Sequence, residues 1–332
     1  MMTTIKDIAQ KADLAVSTVS YALNDSSKIS DKTKKKVIEL AKELNYQPNG
    51  TARNLKKQKT ETIGLFLNDL GGPYYSELIK GVQEVTSSNE YDLVACDAAG
   101  GVDSTAYTFL KEKRVDGAII LAPSISDELI IQVAKNQLPT VVLDRELESE
   151  HICNVLIDNI KGAYKAVSHL TKLGIEKIAY LSGATDSYDN KNRFKGYKKA
   201  LLDKGISYQP DWFIEGCFTE ESGYKAIKEL LVNKKSANLP EAIFAANDEM
   251  AIGAIQALQE GNIKVPDDIA VVGFDDINLA SYIRPSLTTI SHPKYQLGKL
   301  ATQMVFEGLE ENFAGKSITI STDLVVRESC GG

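Results

Sequence analysis

The sequence predicts an α/β protein: an N-terminal three-helix helix-turn-helix head, then a body of two lobes with doubly wound parallel sheets. Three observations predict it. The charge is divided: the whole chain of 332 residues carries -7, yet residues 1–60 hold 11 Lys and 1 Arg against 4 Asp and 2 Glu, a balance of +6 that leaves -13 for the remainder. Within the head, three short segments repeat apolar residues at helical spacing. Beyond it, β-rich apolar runs alternate with helical stretches: TIGLFL, YDLVACDA, DGAIILA and PTVVLD, then KIAYLSG, WFIEGCF, EAIFAAN and IAVVGFDD. Continuous apolar strands separated by amphipathic helices imply parallel sheets covered on both faces, four strands to each.

In the head, Thr4 can cap a helix IKDIAQKA whose Ile5, Ile8, Ala9 and Ala12 form one stripe, and Asp13 breaks it. VSTVSYALN places Val19, Ala22 and Leu23 on one face and leaves Val16, Ser17, Ser20 and Tyr21 on the opposite, polar one. Ser30 can cap a third helix, from Asp31 to about Asn45, whose Val37, Ile38, Ala41 and Leu44 complete the core beneath Lys34, Lys35 and Lys36. Two short helices joined by three residues make a helix-turn-helix; a small bundle with merely solvated polar residues has the same pattern. A basic head on an acidic body suits a polyanion, although solvated lysines on a helix face read alike.

TIKDIAQKADLAVSTVSYALN, then KISDKTKKKVIELAKELNYQPNGTARNLKK, closely resembles the head of the LacI/GalR family of bacterial repressors. The resemblance implies operator DNA as partner, with the second helix in the major groove. It assigns base-edge contacts to Val16, Ser17 and Tyr21, and phosphate contacts to Thr4, Ser20, Asn24, Ser30 and Thr33. Two departures stand out. Tyr21 replaces an Arg that many members carry, so one phenol hydroxyl and a ring stand where a bidentate contact to guanine would be. Leu14 and Ala15 occupy the place of a frequent capping Ser, a loss of about 1 kcal/mol in typical helices. After Pro48, NGTARNLKK is too short for a stable helix alone and reads as a basic linker. The resemblance implies instead a hinge helix that orders on DNA and pushes Leu55, with Asn49 and Ala52 beside it, into the minor groove of a palindrome, which requires a homodimer. The domains expected are 1–47, a hinge at 48–60 and an effector domain at 61–332.

The body resembles the effector domain of the same family, which is periplasmic-binding-protein-like. Its crossovers are implied near Asp158, Ser291 and Ile320, giving lobe one about 61–158 plus 291–319 and lobe two about 159–290 plus 320–330. Ligands of such sheets lie beyond the carboxyl ends of the strands. The residues there are Asn68 and Asp69, Asp97, Asp144 and Arg145, Phe218, Asn247 and Asp248, and Asp275 and Asp276, with Tyr74 and Tyr75 opening the first helix. Carboxylates, amides, an Arg and aromatics suit a sugar, whose hydroxyls donate and accept while its C–H face covers a ring. Taken singly, most of these Asp and Asn residues read equally as helix caps or loop residues. The resemblance selects among them: NRFKGY places Arg193, AANDEMAIGA places Asn247 and VVGFDD places Asp275 at the effector. Tyr74, Tyr75, Asp144 and Phe218 join them through GGPYY and EGCF, which match in outline.

Other chemistry is unsupported. Gly71-Gly72 and Gly100-Gly101 form neither GxGxxG nor GxxxxGK[ST]; His151, His169 and His292 are scattered and read as surface or loop residues; no HExxH or GxSxG occurs. Cys96, Cys153, Cys217 and Cys330 lack a CxxC pair and fit thiols of a reducing compartment. No metal, no cofactor and no catalysis are expected. Apolar runs fall far short of the ~20 residues that span a bilayer, and the N-terminus lacks an export signal, so a cytoplasmic address with no membrane partner is expected. The reading is a repressor of carbohydrate-utilisation genes released from its operator by a sugar inducer. A corepressor- or phosphoprotein-dependent regulator of the same family, and a sugar-binding receptor, are the alternatives.

Overall fold

The computed structural model describes residues 3–46, 59–143, 145–233, 239–310 and 314–331. The chain divides into two compact units, Met1–Thr60 and Glu61–Gly332. In the first, α1 (Ile5–Ala12), α2 (Val16–Leu23) and α3 (Asp31–Glu43) enclose a core of Ile8, Ala9, Val19, Ala22, Val37 and Ala41. Helix α1 starts where Asp7 Oδ2 accepts from the Thr4 N–H at 2.7 Å and the Thr4 hydroxyl at 2.8 Å, bonds that hold the Asp7 carboxyl below the ordinary range. It ends at Asp13, whose φ of 55° is left-handed. The α3 start is capped by Ser30, which accepts from the Thr33 N–H. One core assignment fails: Ile38 is 42% exposed. Val37 and Ala41, four apart, take the inward face, and Ile38 lies about 100° round the helix from Val37.

Among the described residues the second unit holds two six-stranded sheets. Sheet one runs β11-β5-β4-β3-β1-β2, all parallel, from β1 (Thr62–Leu67), β2 (Asp92–Asp97), β3 (Gly117–Leu121), β4 (Thr140–Val142), β5 (Ile152–Ile157) and β11 (Ser317–Ile320). Sheet two runs β12-β10-β9-β8-β6-β7, from β6 (Ile178–Leu181), β7 (Phe213–Ile214), β8 (Ala242–Ala245), β9 (Ala270–Asp275), β10 (Thr288–Ser291) and β12 (Asp323–Val325). Among the described residues only the β10–β12 pair is antiparallel. The eight apolar runs of the sequence are eight of these strands. The other four, β5, β10, β11 and β12, make the expected four per sheet an undercount.

Eight helices cover the sheets among the described residues: α4 (Tyr75–Ser88), α5 (Thr105–Lys111), α6 (Asp127–Lys135), α7 (Asn159–Lys172), α8 (Tyr188–Asp203), α9 (Glu220–Asn233), α10 (Asp248–Glu260) and α11 (Lys294–Glu310). The chain leaves sheet one after Ile157, returns through α11 to β11, and crosses again to β12. Helix α11 packs on α4 at backbone distance: a Cβ on Gly298 would lie 2.3 Å from the Leu78 carbonyl oxygen, and one on Gly81 would lie 2.1 Å from that of Tyr295. No helix among the described residues is long and apolar enough to cross a membrane.

Candidate ligand cleft and nucleic-acid interface

Helix α2 presents Val16 at 42% and Tyr21 at 38% exposure, with Ser17 exposed and Ser20 half-buried between them. Burying Val19 and Ala22 forces this, because residues at the other phases of an eight-residue helix must face outward. The Lys28 ammonium lies 5.6 Å above the Tyr21 ring. Asn24 Nδ2 donates to the Ser20 carbonyl oxygen at 2.7 Å, so that side chain closes α2. Thr4 stands at the N-terminal end of α1, and Ser30 and Thr33 stand at that of α3 with their hydroxyls 2.9 Å apart. Ala15 is the N-cap of α2 and supplies no side-chain bond. Asn49, Ala52 and Leu55 lie outside the described residues, as does Asp144.

In the body, Arg193 and Asp275 meet at the carboxyl ends of the strands. Arg193 is 4% exposed and fixed by three bonds or contacts: Nε donates to Asn159 Oδ1 at 2.8 Å, Nη1 to the Ala246 carbonyl oxygen at 2.5 Å, and Nη2 lies 3.3 Å from Asp275 Oδ1. Its guanidinium carbon sits 3.8 Å above the Phe274 ring centroid. A planar cation held on all sides keeps its remaining N–H donors in fixed directions. Asp275, at the last position of β9, has φ 114°, and the next residue, Asp276, has φ 53°. This strained turn is braced from below. Buried Asp248 accepts from the Ile277 N–H at 2.9 Å and the Thr289 hydroxyl at 2.5 Å, and Arg327 Nη2 holds Asp276 Oδ1 at 2.6 Å.

Phe218 and Asn247 join the same place. Asn247 Oδ1 accepts from the Met250 N–H at 3.0 Å and Nδ2 donates to the Phe218 carbonyl oxygen at 2.9 Å. The capping alternative is therefore real, and the same side chain pins Phe218 in its left-handed conformation, φ 67°. The ring of Phe218 lies against Gly183, where a Cβ would be 2.1 Å from it. From sheet one, Tyr74 comes within 5.6 Å of the His292 ring and 5.3 Å of Tyr75. Burial pushes the Tyr74 phenol well up, aided by the Asp275 charge.

The rest of the predicted list is bound into loops. Asn68 accepts from the Ser124 hydroxyl, Asp69 from the Gly71 N–H, and Asp97 from the Ala99 N–H; Arg145 contacts Asp127 at 2.7 Å and two backbone carbonyl oxygens. Sequence reasoning passed over several residues at the site. Asn159 orients Arg193 and donates to Asp189 at 2.7 Å. Burial raises Asp189 to about 6, with Arg193 pulling the other way, and burial with the Asp275 charge raises Glu249 to about 7. Buried Lys294 donates to the Asp275 and Asp276 carbonyl oxygens at 2.5 and 3.0 Å. His292, read from the sequence as a surface or loop residue, is 3% exposed, and burial lowers its pKa. The segment that follows β10 lies beside the ends of β9, so His292 is covered by Tyr74, Phe274 and Asp275, which come from distant parts of the chain.

Two largely parallel sheets whose carboxyl ends share a polar, partly aromatic site, in a chain with a helix-turn-helix head, define a ligand-binding regulator of nucleic acid. Comparison with known proteins makes this specific. Residues 4–49 match the family described as "Bacterial regulatory proteins, lacI family", and residues 167–330 the "Periplasmic binding protein-like domain". The HTH-type transcriptional regulator RegA of Clostridium saccharobutylicum is 35% identical over 99% of both chains. Among solved structures, the lac repressor dimer bound to operator and the anti-inducer ONPF aligns with a TM-score of 0.82 at 29% identity, covering 99% of each chain. The transcriptional regulator CelR–cellobiose complex aligns with a TM-score of 0.73 at 29% identity, covering 98% of this chain and 99% of that one. The chain belongs to the LacI family of bacterial regulatory proteins, a family of DNA-binding transcription regulators.

Proposed function

We propose that this regulator is a homodimeric repressor of carbohydrate-utilisation genes, released from a palindromic operator when a small sugar enters the cleft built by Arg193 and Asp275. The observation that carries the reading is the Arg193–Asp275 pair, buried at the carboxyl end of β9 with the guanidinium stacked on Phe274. Such a pair serves a polyhydroxy ligand, because each hydroxyl can accept from the guanidinium and donate to the carboxylate. Phe218 and Tyr74 supply the aromatic faces that cover sugar C–H groups. The cellobiose complex of one solved relative and the operator complex of another support the two halves of this reading.

In it, Val16, Ser17 and Tyr21 read base edges, while Thr4, Ser20, Asn24, Ser30 and Thr33 hold phosphates. Asn49, Ala52 and Leu55 form the hinge that wedges the minor groove, at residues 48–60 between a head of 1–47 and an effector domain of 61–332. The lobes follow sheet membership, with β11 returning to lobe one and β12 to lobe two. The test is operator binding by fluorescence anisotropy of the full chain, with a genomic fragment from upstream of its own gene, against a panel of mono- and disaccharides. One sugar should release the DNA; a protein that binds the fragment and ignores every sugar sinks the induction reading.

A further inference from the structure

A cavity separate from the cleft opens at the other end of sheet two. Its volume is about 540 Å³, inside the range of roughly 300–1,000 Å³ that holds small molecules. Ile178, which lines it, is the first residue of β6, whereas the cleft gathers at the carboxyl ends of the strands. Buried Ile178, Tyr197 and Leu201 make its apolar wall, and half-buried Trp212 lines it beside them. The Tyr197 hydroxyl donates to the Ile178 carbonyl oxygen at 2.8 Å, which fixes that wall. Helix α8 runs past both places: Arg193 in the cleft and Leu201 in the cavity are eight residues apart, about 12 Å along the axis.

The polar part of the lining is charged and unspent. Glu176, Lys177 and Lys204 are exposed, and their side chains meet no hydrogen-bond or ion-pair partner among the described residues. They belong to a basic island. Residues 159–204 hold nine Lys and one Arg against three Asp and one Glu, a balance of +6 inside a body, residues 61–332, that carries -13. A local positive field of this kind concentrates anions at the surface that bears it.

The lining therefore makes three demands. Trp212 and the apolar wall suit a flat ring, the two ammonium groups an anionic group, and the Glu176 carboxylate a hydroxyl or amino donor. An inorganic anion meets only the second, and a neutral sugar lacks the anionic group. A nucleoside monophosphate meets all three. We propose that this cavity is a second ligand site, which takes a nucleoside monophosphate with its base against Trp212 and its phosphate on Lys177 and Lys204.

Trp212 is the single tryptophan of the chain, so its emission reports on this cavity. The test is fluorescence titration of the full chain with the monophosphates of adenosine, guanosine, cytidine and uridine. At least one should change the emission saturably, with a dissociation constant below about 1 mM, and its parent nucleoside and inorganic phosphate should each bind at least about tenfold more weakly. The double variant Lys177→Ala with Lys204→Ala should weaken that nucleotide at least about tenfold while its thermal midpoint and operator binding match the parent. If the double variant lowers the midpoint, Lys204→Gln alone carries the comparison, with a loss of at least about threefold. No saturable change with any of the four up to about 5 mM overturns the inference. Inorganic phosphate or the nucleoside binding as tightly as the nucleotide overturns it as well. Unchanged nucleotide affinity in the lysine variants puts the nucleotide elsewhere in the chain and overturns it too.

Discussion

In the proposed reading Arg193 carries the response to sugar without carrying DNA affinity. Its guanidinium is fixed by Asn159, the Ala246 carbonyl oxygen, Asp275 and the Phe274 ring, all in the body. Arg193→Ala should abolish sugar response in the anisotropy assay while operator affinity without sugar stays within about twofold, and Arg193→Lys should not rescue it, because an ammonium cannot reproduce the planar fork. Loss of operator affinity to the same extent would show that the residue acts on folding. Asp189 gives a pH prediction. Its pKa is raised to about 6 from an ordinary 3.8, so its protonated form favours the folded state; that contribution is complete below the ordinary value and lost as pH rises through about 6. Asp189→Asn keeps an oxygen for Asn159 and cannot ionise. Its stability relative to the parent should therefore increase from about pH 5 to pH 8 by on the order of 1 kcal/mol, read as a pH-dependent difference in denaturation midpoints. A pH-independent difference would mean that Asp189 titrates normally. The meeting of Arg193 and Asp275 was legible because the resemblance put NRFKGY and the end of the VVGFDD strand at one place, and the structure brings the two side chains together. His292 was not, since its burial comes from Tyr74 and Phe274, far away in the sequence.

The elements divide in legibility by how much of each is apolar. Eight strands stood out as continuous β-branched or aliphatic runs. Strand β5 is buried along its whole length but carries Asn154 at its centre, which reads as polar until its partners are known: it bonds the Leu147 N–H and carbonyl oxygen and the Ser317 hydroxyl. Strands β11 and β12 are edge strands of alternating or partial exposure, short and rich in Ser, Thr and Asp, so no apolar run announces them. In the head the spacing gave each helix to within about two residues at its ends, and it erred at Ile38, because apolar type does not fix which phase of α3 faces inward. Helix α2 has an N-cap, Ala15, already in extended geometry at φ -64° and ψ 145°. Ala15→Ser adds a capping oxygen without moving the backbone. Protection of the first α2 amides against hydrogen exchange in the full chain should rise by about 1 kcal/mol. No change in protection would show that packing of Val19 and Ala22, and not the missing cap, limits the start of this helix.

At the scale of the whole molecule, the divided charge and the buried cleft set the terms of regulation. The first sixty residues carry +6 and the remainder -13, so net attraction for DNA phosphates belongs to the first sixty, while in the proposed reading the effector meets the body. Any influence of sugar on operator binding is then a coupling free energy between two different sites, and it exists only if the sugar binds the operator-competent and operator-released arrangements unequally. Typical couplings change affinity by about 5–150-fold, which is about 1–3 kcal/mol. Linkage makes the exchange reciprocal. Saturating sugar should raise the operator dissociation constant by some factor, and saturating operator should raise the sugar dissociation constant by the same factor per equivalent site. Anisotropy titrations with and without sugar, and calorimetric titrations with and without operator, measure the two independently at one salt concentration. Equal factors would place the control in a single shared equilibrium between two arrangements of the body. Unequal factors at equilibrium are forbidden for that cycle and would reveal a further bound species, such as a change in assembly between the free and operator-bound protein.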